Sequence, residues 1–121
     1  MSIRIPKRGD VYWINPNPTI GKELKDMHRF IVISPTEINR LNSVITVPVT
    51  TGGNFTRMNG MTVPITGYDT MGVALCNAIR AFDLSARITK GTAKFVETLG
   101  PEIVDAIIDR VVSILDPEEL R

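Results

Sequence analysis

The 121-residue sequence is poor in the residues that most often build metal and redox sites: it has one cysteine, one histidine and one tryptophan. A single cysteine, Cys76, cannot form an internal disulfide, which favours a reducing compartment and predicts a cytoplasmic location. The histidine and the cysteine lie far apart and lack ligand spacing, so we expect neither a metal site nor a cofactor. The glycine loop of nucleotide hydrolases and the nucleophile elbow are also absent. Any catalysis must therefore use Arg, Lys, Thr, Asp, Glu or the one His.

Long apolar segments are missing as well. No run of 18 apolar residues is present, which predicts no membrane span. The first ten residues lack a continuous apolar stretch, which argues against a secretory signal. The length predicts one domain over residues 1–121, with a hydrophobic content of 43% that suffices for a small core.

The net charge of +1 conceals an uneven distribution. Residues 1–100 carry twelve basic and seven acidic side chains, whereas residues 101–121 carry two basic and six acidic ones. A basic body suits a polyanionic partner, because binding to phosphates releases counterions. An ordinary surface of mixed charge is the alternative interpretation.

Several short strands and two helices are predicted. Strands are expected at residues 10–14, 30–33, 44–50, 61–66 and 73–83. Ser34-Pro35-Thr36-Glu37 has the pattern of a capping box and predicts a short helix through about residue 41. Apolar residues recur at helical spacing from Val104 to Leu115, between Pro101 and the Asp116-Pro117 pair. The pattern predicts a small, strongly bent β-sheet or barrel with a short inserted helix and a C-terminal amphipathic helix.

A long charged loop precedes the second predicted strand. Two prolines within three residues, Pro16 and Pro18, exclude helix and central strand there. Lys22 and Lys25 lie in this loop, and Arg29 lies where the loop meets the buried strand. A guanidinium held at that point is suited to stabilise a phosphorane-like transition state, although a solvent-exposed strand-end arginine fits the pattern equally well.

A second polar segment follows the strand at residues 44–50. Its side chains are of the types that hold a nucleotide, and they are Thr50, Thr51, Asn54, Phe55 and Arg57. A threonine hydroxyl can orient a ribose hydroxyl or a phosphate oxygen, and Phe55 with Arg57 can stack on a base. The alternatives are a polar hairpin loop, threonines that simply favour strands, and a phenylalanine that pins the loop to the barrel.

The remaining candidates are less specific. His28 could serve as a general base by residue type, but a lone loop histidine is more often inert. Cys76 is expected to be a small core residue. Asn77 and Arg80 are predicted to lie in one strand and on opposite faces, so that one reaches a ligand while the other pairs across a surface.

Taken in order, the motifs resemble the MazF/PemK/Kid/ChpB toxin family over about residues 8–115. The blocks that carry the resemblance are Arg8-Gly9-Asp10-Val11-Tyr12-Trp13, Gly21-x-Glu23, Arg29 before an apolar strand, Val47-Pro48-Val49-Thr50-Thr51-Gly52-Gly53-Asn54-Phe55, and Gly72-Val73-x-x-Cys76-Asn77-x-x-Arg80-x-x-Asp83-x-x-Ala86-Arg87.

The resemblance implies an SH3-like β-barrel with added helices that works as a homodimer. It implies a metal-independent endoribonuclease that cuts single-stranded mRNA at a short sequence. The ribose 2′-hydroxyl attacks the adjacent phosphorus, which leaves a 2′,3′-cyclic phosphate and a 5′-hydroxyl. It further implies a cognate antitoxin whose disordered acidic tail occupies the RNA site, with DNA bound only through the toxin–antitoxin complex.

Carried over by position, the resemblance makes Arg29 and Thr50 catalytic and implicates Glu23 in activity. Arg29 would stabilise charge on the phosphoryl oxygens or protonate the leaving oxygen, and Thr50 would hold the attacking hydroxyl or a phosphate oxygen. The expected RNA-binding residues are Lys22, Lys25, His28, Thr51, Asn54, Phe55, Arg57, Asn77 and Arg80. The general base stays open among His28, Glu23 and Lys22, with Glu23 first because of the resemblance.

The sequence departs from the family pattern at three places. Phe30 replaces the proline that usually follows the arginine, Lys22 replaces a histidine of the Kid-like branch, and Leu75-Cys76-Asn77 replaces its Arg-Cys-Asp. A mechanism that uses that arginine, aspartate and histidine is therefore not transferable, and the sequence supports the Arg29/Thr50 pair. Two other functions fit the same fold: a CcdB-like toxin that poisons DNA gyrase, and a non-catalytic SH3-like binding module.

Overall fold

The computed structural model describes residues 4–16, 28–51 and 61–117. Seven strands and three helices lie within these ranges. The strands are β1 (Asp10–Ile14), β2 (His28–Val32), β3 (Val44–Thr50), β4 (Thr62–Ile65), β5 (Gly72–Leu75), β6 (Arg80–Phe82) and β7 (Ala93–Thr98). The helices are α1 (Thr36–Asn39), α2 (Leu84–Thr89) and α3 (Pro101–Leu115).

The strands form one antiparallel sheet in the order β4-β5-β3-β2-β1-β7, with β6 also paired to β3. β3 is the central strand, because it pairs with β2 and also with β6 through its first half and β5 through its end. A strand that changes partner along its length requires a strongly bent sheet. The predicted fold class is therefore confirmed: a small, bent, mainly β domain with a short inserted helix and a C-terminal helix.

The sheet is buried on both faces. Neighbouring residues of a strand point to opposite faces, so Val11 and Ile31 belong to one core cluster, whereas Tyr12 and Phe30 belong to the other. α3 covers the first cluster with Val104, Ile107 and Val111, and Leu84 of α2 completes the second. Burial on both faces explains why the central strands read as continuous apolar runs rather than as alternating patterns.

The predicted boundaries agree with the structure at β1, β3 and α3. β2 begins two residues before its predicted start at residue 30, so His28 lies in the strand and not in the loop. Other predictions fail where turns interrupt the chain. The strand predicted at 73–83 is wrong as a single element, because a turn at Cys76-Asn77 divides it into β5 and β6. α2 and β7 were not predicted from the sequence. The capping box at Ser34 is also wrong, since α1 begins after Pro35 without a side-chain cap. Ser34 Oγ instead accepts from the Ile45 N–H at 2.9 Å and donates to Asn39 Oδ1.

No helix in the described part of the chain is long and apolar enough to cross a membrane.

Candidate active site

The Arg29 side chain is held in place by Trp13, its cross-strand neighbour in β1. The β1–β2 register places Arg29 directly opposite Trp13. The Arg29 guanidinium carbon lies 5.0 Å from the centre of the indole ring, within the range of a cation–π contact. Cross-strand neighbours on one face of an antiparallel pair are close enough to touch, so the register itself brings the ring to the cation.

A turn between β4 and β5 fixes the other end of the guanidinium. Arg29 Nη1 donates to the main-chain oxygen of Asp69 at 2.6 Å and to Thr70 Oγ1 at 3.2 Å. Thr70 is fully buried, so its hydroxyl is a fixed acceptor and not a mobile surface group. Arg29 is therefore a positioned cation, and the solvent-exposed strand-end arginine that was the alternative is not what the structure shows.

The Nε–H group of Arg29 differs from Nη1 in its hydrogen bonding. Arg29 Nε is buried and has no hydrogen-bond partner among the residues that the structure describes. An unpartnered buried N–H is unfavourable, because its desolvation is not compensated. Arginine is effectively always protonated, so this group brings a permanent positive charge to the site.

A cleft of about 340 Å³ opens beside Arg29. It contains four of the residues that were predicted to act on RNA, and its lining consists of Trp13, His28, Arg29, Val49, Thr50, Thr51, Asp69 and Met71. β2 contributes His28 and Arg29, the end of β3 contributes Thr50, and Thr51 follows directly after β3. The structure thus brings the proposed catalytic pair, Arg29 and Thr50, to one cleft.

Thr50 owes its position to a close approach of β5. Thr50 pairs with Val73, the residue after Gly72. Gly72 has φ +130°, a conformation that L side chains rarely adopt, and a Cβ at this position would collide with the Thr50 carbonyl oxygen. Only glycine therefore allows β5 to pack this closely against the threonine backbone.

Asn77 and Arg80 do not line this cleft. Asn77 is exposed in the turn that follows β5, so the two residues do not share a strand as predicted. Arg80 lies on β6, donates from Nη2 to the Pro16 main-chain oxygen at 2.9 Å, and stacks 5.1 Å from the centre of the Phe82 ring. These contacts give Arg80 a structural role at the end of the segment that leaves β1.

Six of the predicted site residues lie outside the described residues: Lys22, Glu23, Lys25, Asn54, Phe55 and Arg57. Their assignment stays a prediction. In the described part of the chain, no group of three or more His, Cys, Asp or Glu side chains is arranged to hold a metal ion.

Cys76 is a core residue, as predicted. Its side chain is fully buried, and this burial raises the pKa of the thiol to about 11, although Arg110 opposes the shift. A buried, protonated thiol is a poor nucleophile.

Several residues that fix or line the site were not identified as site residues from the sequence, Val49 among them. Trp13 was noted only as part of a motif, and Asp69, Thr70 and Met71 lie in or beside a turn that carries no motif. Their role depends on which turn reaches Arg29, and this follows from the bend of the sheet rather than from local sequence. The strand register could have identified Trp13, had the β1–β2 pairing been derived.

Comparison with known proteins shows which family the chain matches. The family described as PemK-like, MazF-like toxin of type II toxin-antitoxin system matches residues 7–115. Endoribonuclease PemK of Escherichia coli is 32% identical over 112 residues, which are 90% of this chain and 81% of that protein. Endoribonuclease toxin ChpB of Escherichia coli (strain K12) is 32% identical over 113 residues, or 91% and 94% of the two chains.

Solved structures of low sequence identity share the fold. MazF from Deinococcus radiodurans superposes with a TM-score of 0.79 at 21% identity, covering 93% of this chain and 98% of that one. An endoribonuclease in complex with its cognate antitoxin, from a mycobacterial species, superposes with a TM-score of 0.71 at 18% identity, covering 93% and 96%.

Proposed function

This chain belongs to the PemK-like and MazF-like toxins of type II toxin–antitoxin systems, and from that membership and the Arg29 cleft we propose that it is an endoribonuclease that cuts single-stranded RNA. The observation that carries the proposal is a permanently charged guanidinium, fixed by Trp13 and the 69–70 turn, in the same cleft as Thr50. The names of two relatives, both endoribonucleases, favour this function over gyrase poisoning and over a non-catalytic binding module.

The proposed reaction is an internal transesterification of the RNA. The 2′-oxygen forms a bond to the adjacent phosphorus, and the bond from phosphorus to the 5′-oxygen of the next nucleotide breaks. One proton leaves the 2′-hydroxyl and one is taken up by the departing 5′-oxygen. The products are a 2′,3′-cyclic phosphate and a 5′-hydroxyl, and no water is consumed in this step.

Arg29 would act on the charge that develops at phosphorus. A preorganised cation stabilises the phosphorane-like transition state more than the ground state, because negative charge accumulates on the non-bridging oxygens. Because a guanidinium does not give up its proton in proteins, electrostatic stabilisation is a better role than proton transfer to the leaving oxygen. The N–H groups away from the Asp69 contact would meet the phosphoryl oxygens, and Thr50 would hold the attacking hydroxyl or one of those oxygens.

His28 and Asp69 are the titratable side chains that line the cleft beside Arg29 in the described residues, and either can take the 2′-hydroxyl proton by residue type. Glu23, which the family resemblance ranks first, and Lys22 also stay candidates for the general base. Single-stranded RNA is the expected substrate, because an RNA duplex hides its base edges from side chains. The remaining predicted RNA-binding residues would contact flanking nucleotides: Lys22, Lys25, Thr51, Asn54, Phe55, Arg57, Asn77 and Arg80.

The partners of the proposed toxin follow from its family. We expect one toxin domain over residues 1–121, a homodimer, a cytoplasmic location and a cognate antitoxin whose disordered acidic tail covers the cleft, with DNA bound only through the toxin–antitoxin complex. The solved complex of a mycobacterial endoribonuclease with its antitoxin supports the expectation of a cognate antitoxin for this chain. Apolar side chains that remain exposed on α3, Val112 at 54% and Leu115 at 69%, are consistent with a dimer that buries further surface.

The reaction is tested by its chemistry. Purified protein in EDTA is incubated with a long single-stranded RNA, and the cut sites and end groups are mapped. We expect cuts at a few sites with 5′-hydroxyl ends. A 2′-deoxy substitution on the 5′ side of a mapped cut should abolish cleavage there, because the attacking oxygen is absent, whereas the same substitution several nucleotides away should have no effect. Cleavage that persists at the 2′-deoxy site would refute the transesterification.

A further inference from the structure

Glu97 does not line the cleft, but hydrogen bonds connect it to Arg29 through two intermediate residues, Asp69 and Thr70. Its Oε2 accepts from the Thr70 N–H at 2.6 Å, and its Oε1 accepts from the Asp69 N–H at 3.4 Å. The same two residues supply both acceptors for Arg29 Nη1. The Glu97 carboxylate on β7 therefore holds the 69–70 turn, and this turn holds the Arg29 guanidinium.

A β-bulge explains how Glu97 comes to this face of the sheet. Phe95 pairs with Tyr12, whereas Glu97 pairs with Val11, and the register shifts between these pairs. Cross-strand partners share a face and adjacent residues do not, so Phe95 and Glu97 lie on opposite faces although they are two apart. In a regular ladder without the bulge, Glu97 would share the face of Phe95, which is the side away from Arg29.

The side-chain contacts agree with this assignment. The Phe95 ring packs edge-on against Tyr12, with ring centres 5.5 Å apart, on the face of the second core cluster. Val96, the extra residue, packs on the first cluster with Val11. Arg29 and Trp13 lie on the face of Val11, because each is two residues along its strand from Ile31 and Val11 respectively.

The turn is docked at a second point on the connection between β7 and α3. The Tyr68 hydroxyl accepts from the Gly100 N–H at 2.7 Å, just before α3 begins. Thr70 itself is fully buried. Two attachments and a buried anchor give the turn one position, and a preorganised charge is effective only where its support is rigid.

We infer that Glu97 and Thr70 are positioning residues of the proposed nuclease: the β-bulge in β7 directs the Glu97 carboxylate to the 69–70 turn, which orients the Arg29 guanidinium toward the scissile phosphate. This rests on the proposed function. Glu97 acts through the turn and does not touch the RNA, so its loss should lower kcat and leave KM nearly unchanged.

The only tryptophan of the chain gives a readout that does not need RNA. Trp13 lies against the Arg29 guanidinium, so its emission reports the position of the cation. The Arg29→Ala variant gives the reference emission of a Trp13 indole that has no cation beside it. Thr70→Val removes the hydroxyl acceptor at constant shape, Thr70→Ser keeps it, and Glu97→Gln keeps one carbonyl acceptor that Glu97→Ala lacks.

The expected results form a graded series. Thr70→Val and Glu97→Ala should shift Trp13 emission toward that of Arg29→Ala and lower kcat about tenfold, the usual loss for a hydrogen bond to a charged group, while KM stays within about twofold of wild type. Thr70→Ser should match wild type, and Glu97→Gln should lie between. Thr98→Val is the matched control, because the Thr98 hydroxyl donates to Asp10 and not to the turn.

Three outcomes would overturn the inference: unchanged emission and kcat in Thr70→Val, a loss that appears only in KM, or an equal loss in Thr98→Val. If Glu97→Ala does not fold, the Thr70→Val and Thr70→Ser pair decides alone. Failure of the proposed function is distinguishable, since the wild type would then cut no RNA at all, while Trp13 emission would still test the positioning.

Discussion

At the scale of single residues, the site depends on how tightly neighbours constrain Arg29 and Thr50. Trp13 and the 69–70 turn determine the orientation of the guanidinium, and Gly72 allows the strand that fixes Thr50 to approach. Both constraints come from residues other than Arg29 and Thr50. Substitutions that leave Arg29 and Thr50 in place should therefore still impair the site.

Gly72→Ala tests this directly. The new Cβ would collide with the Thr50 carbonyl, and φ +130° is strained for any L side chain. We expect a loss of about 1–3 kcal/mol in the free energy of unfolding and weaker RNA cutting, measured by urea denaturation and by cleavage rate. Gly91→Ala is the control, because Gly91 has φ +79° but open space around it. Equal cleavage in the two variants would contradict the role assigned to Gly72.

The Cys76 thiol predicts how stability depends on pH. Burial raises its folded pKa from the ordinary 9.0 to about 11, so the unfolded chain releases the proton first as pH rises. The stability that the buried Cys76 thiol contributes is fully present below pH 9, and it is lost as the pH rises from 9 to 11. We expect the gap in unfolding free energy between wild type and Cys76→Ala to narrow by about 1 kcal/mol from pH 8 to pH 10. A constant gap would show that the thiol is not desolvated.

At the scale of secondary-structure elements, α3 is the part that sequence periodicity predicts best. Pro101 begins the helix and Asp116 follows it, as expected, and three residues of the predicted stripe are buried: Val104, Ile107 and Val111. The outer residues Val112 and Leu115 stay exposed, because a helix on one sheet buries a narrower stripe than the apolar pattern offers.

Ile107→Ala should measure how much α3 contributes to stability. Ile107 is fully buried in the first core cluster, so its truncation removes packing and leaves a cavity. We expect a loss of about 2–5 kcal/mol in the free energy of unfolding by urea denaturation. Asp105→Ala, an exposed position of the same helix, should change stability by less than about 0.5 kcal/mol. A small effect at Ile107 would mean that α3 is not essential to the core.

Elements defined by tertiary contacts were harder to predict from sequence. β3 has a strong apolar pattern and was predicted with its observed bounds, whereas β7 has exposed positions at Lys94, Phe95 and Thr98 and no clear alternation. The β-bulge at Val96 disrupts the period on which strand prediction depends. α2 is a short helix whose Asp83 cap could have been read from the sequence, since it accepts from the Ala86 N–H.

At the scale of the whole molecule, the site lies where three parts of the bent sheet meet. β2 supplies Arg29, the end of β3 supplies Thr50, and the turn before β5 supplies the support. The residue types at positions 29 and 50 and their order could be read from the sequence, together with the family resemblance. The support by Thr70 and Glu97 could not, because it depends on a bulge and on the docking of a turn.

The central claim is that the fixed Arg29 cation stabilises the transition state of RNA cleavage. It is tested most directly by the single-turnover rate of Arg29→Ala, at saturating protein, on an oligonucleotide with a mapped cut site. We predict a fall of about 100-fold or more with an unchanged circular dichroism spectrum. Arg40 is an exposed arginine that does not line the cleft, and Arg40→Ala should cut at the wild-type rate. A folded Arg29→Ala protein that cuts as fast as wild type would contradict the account.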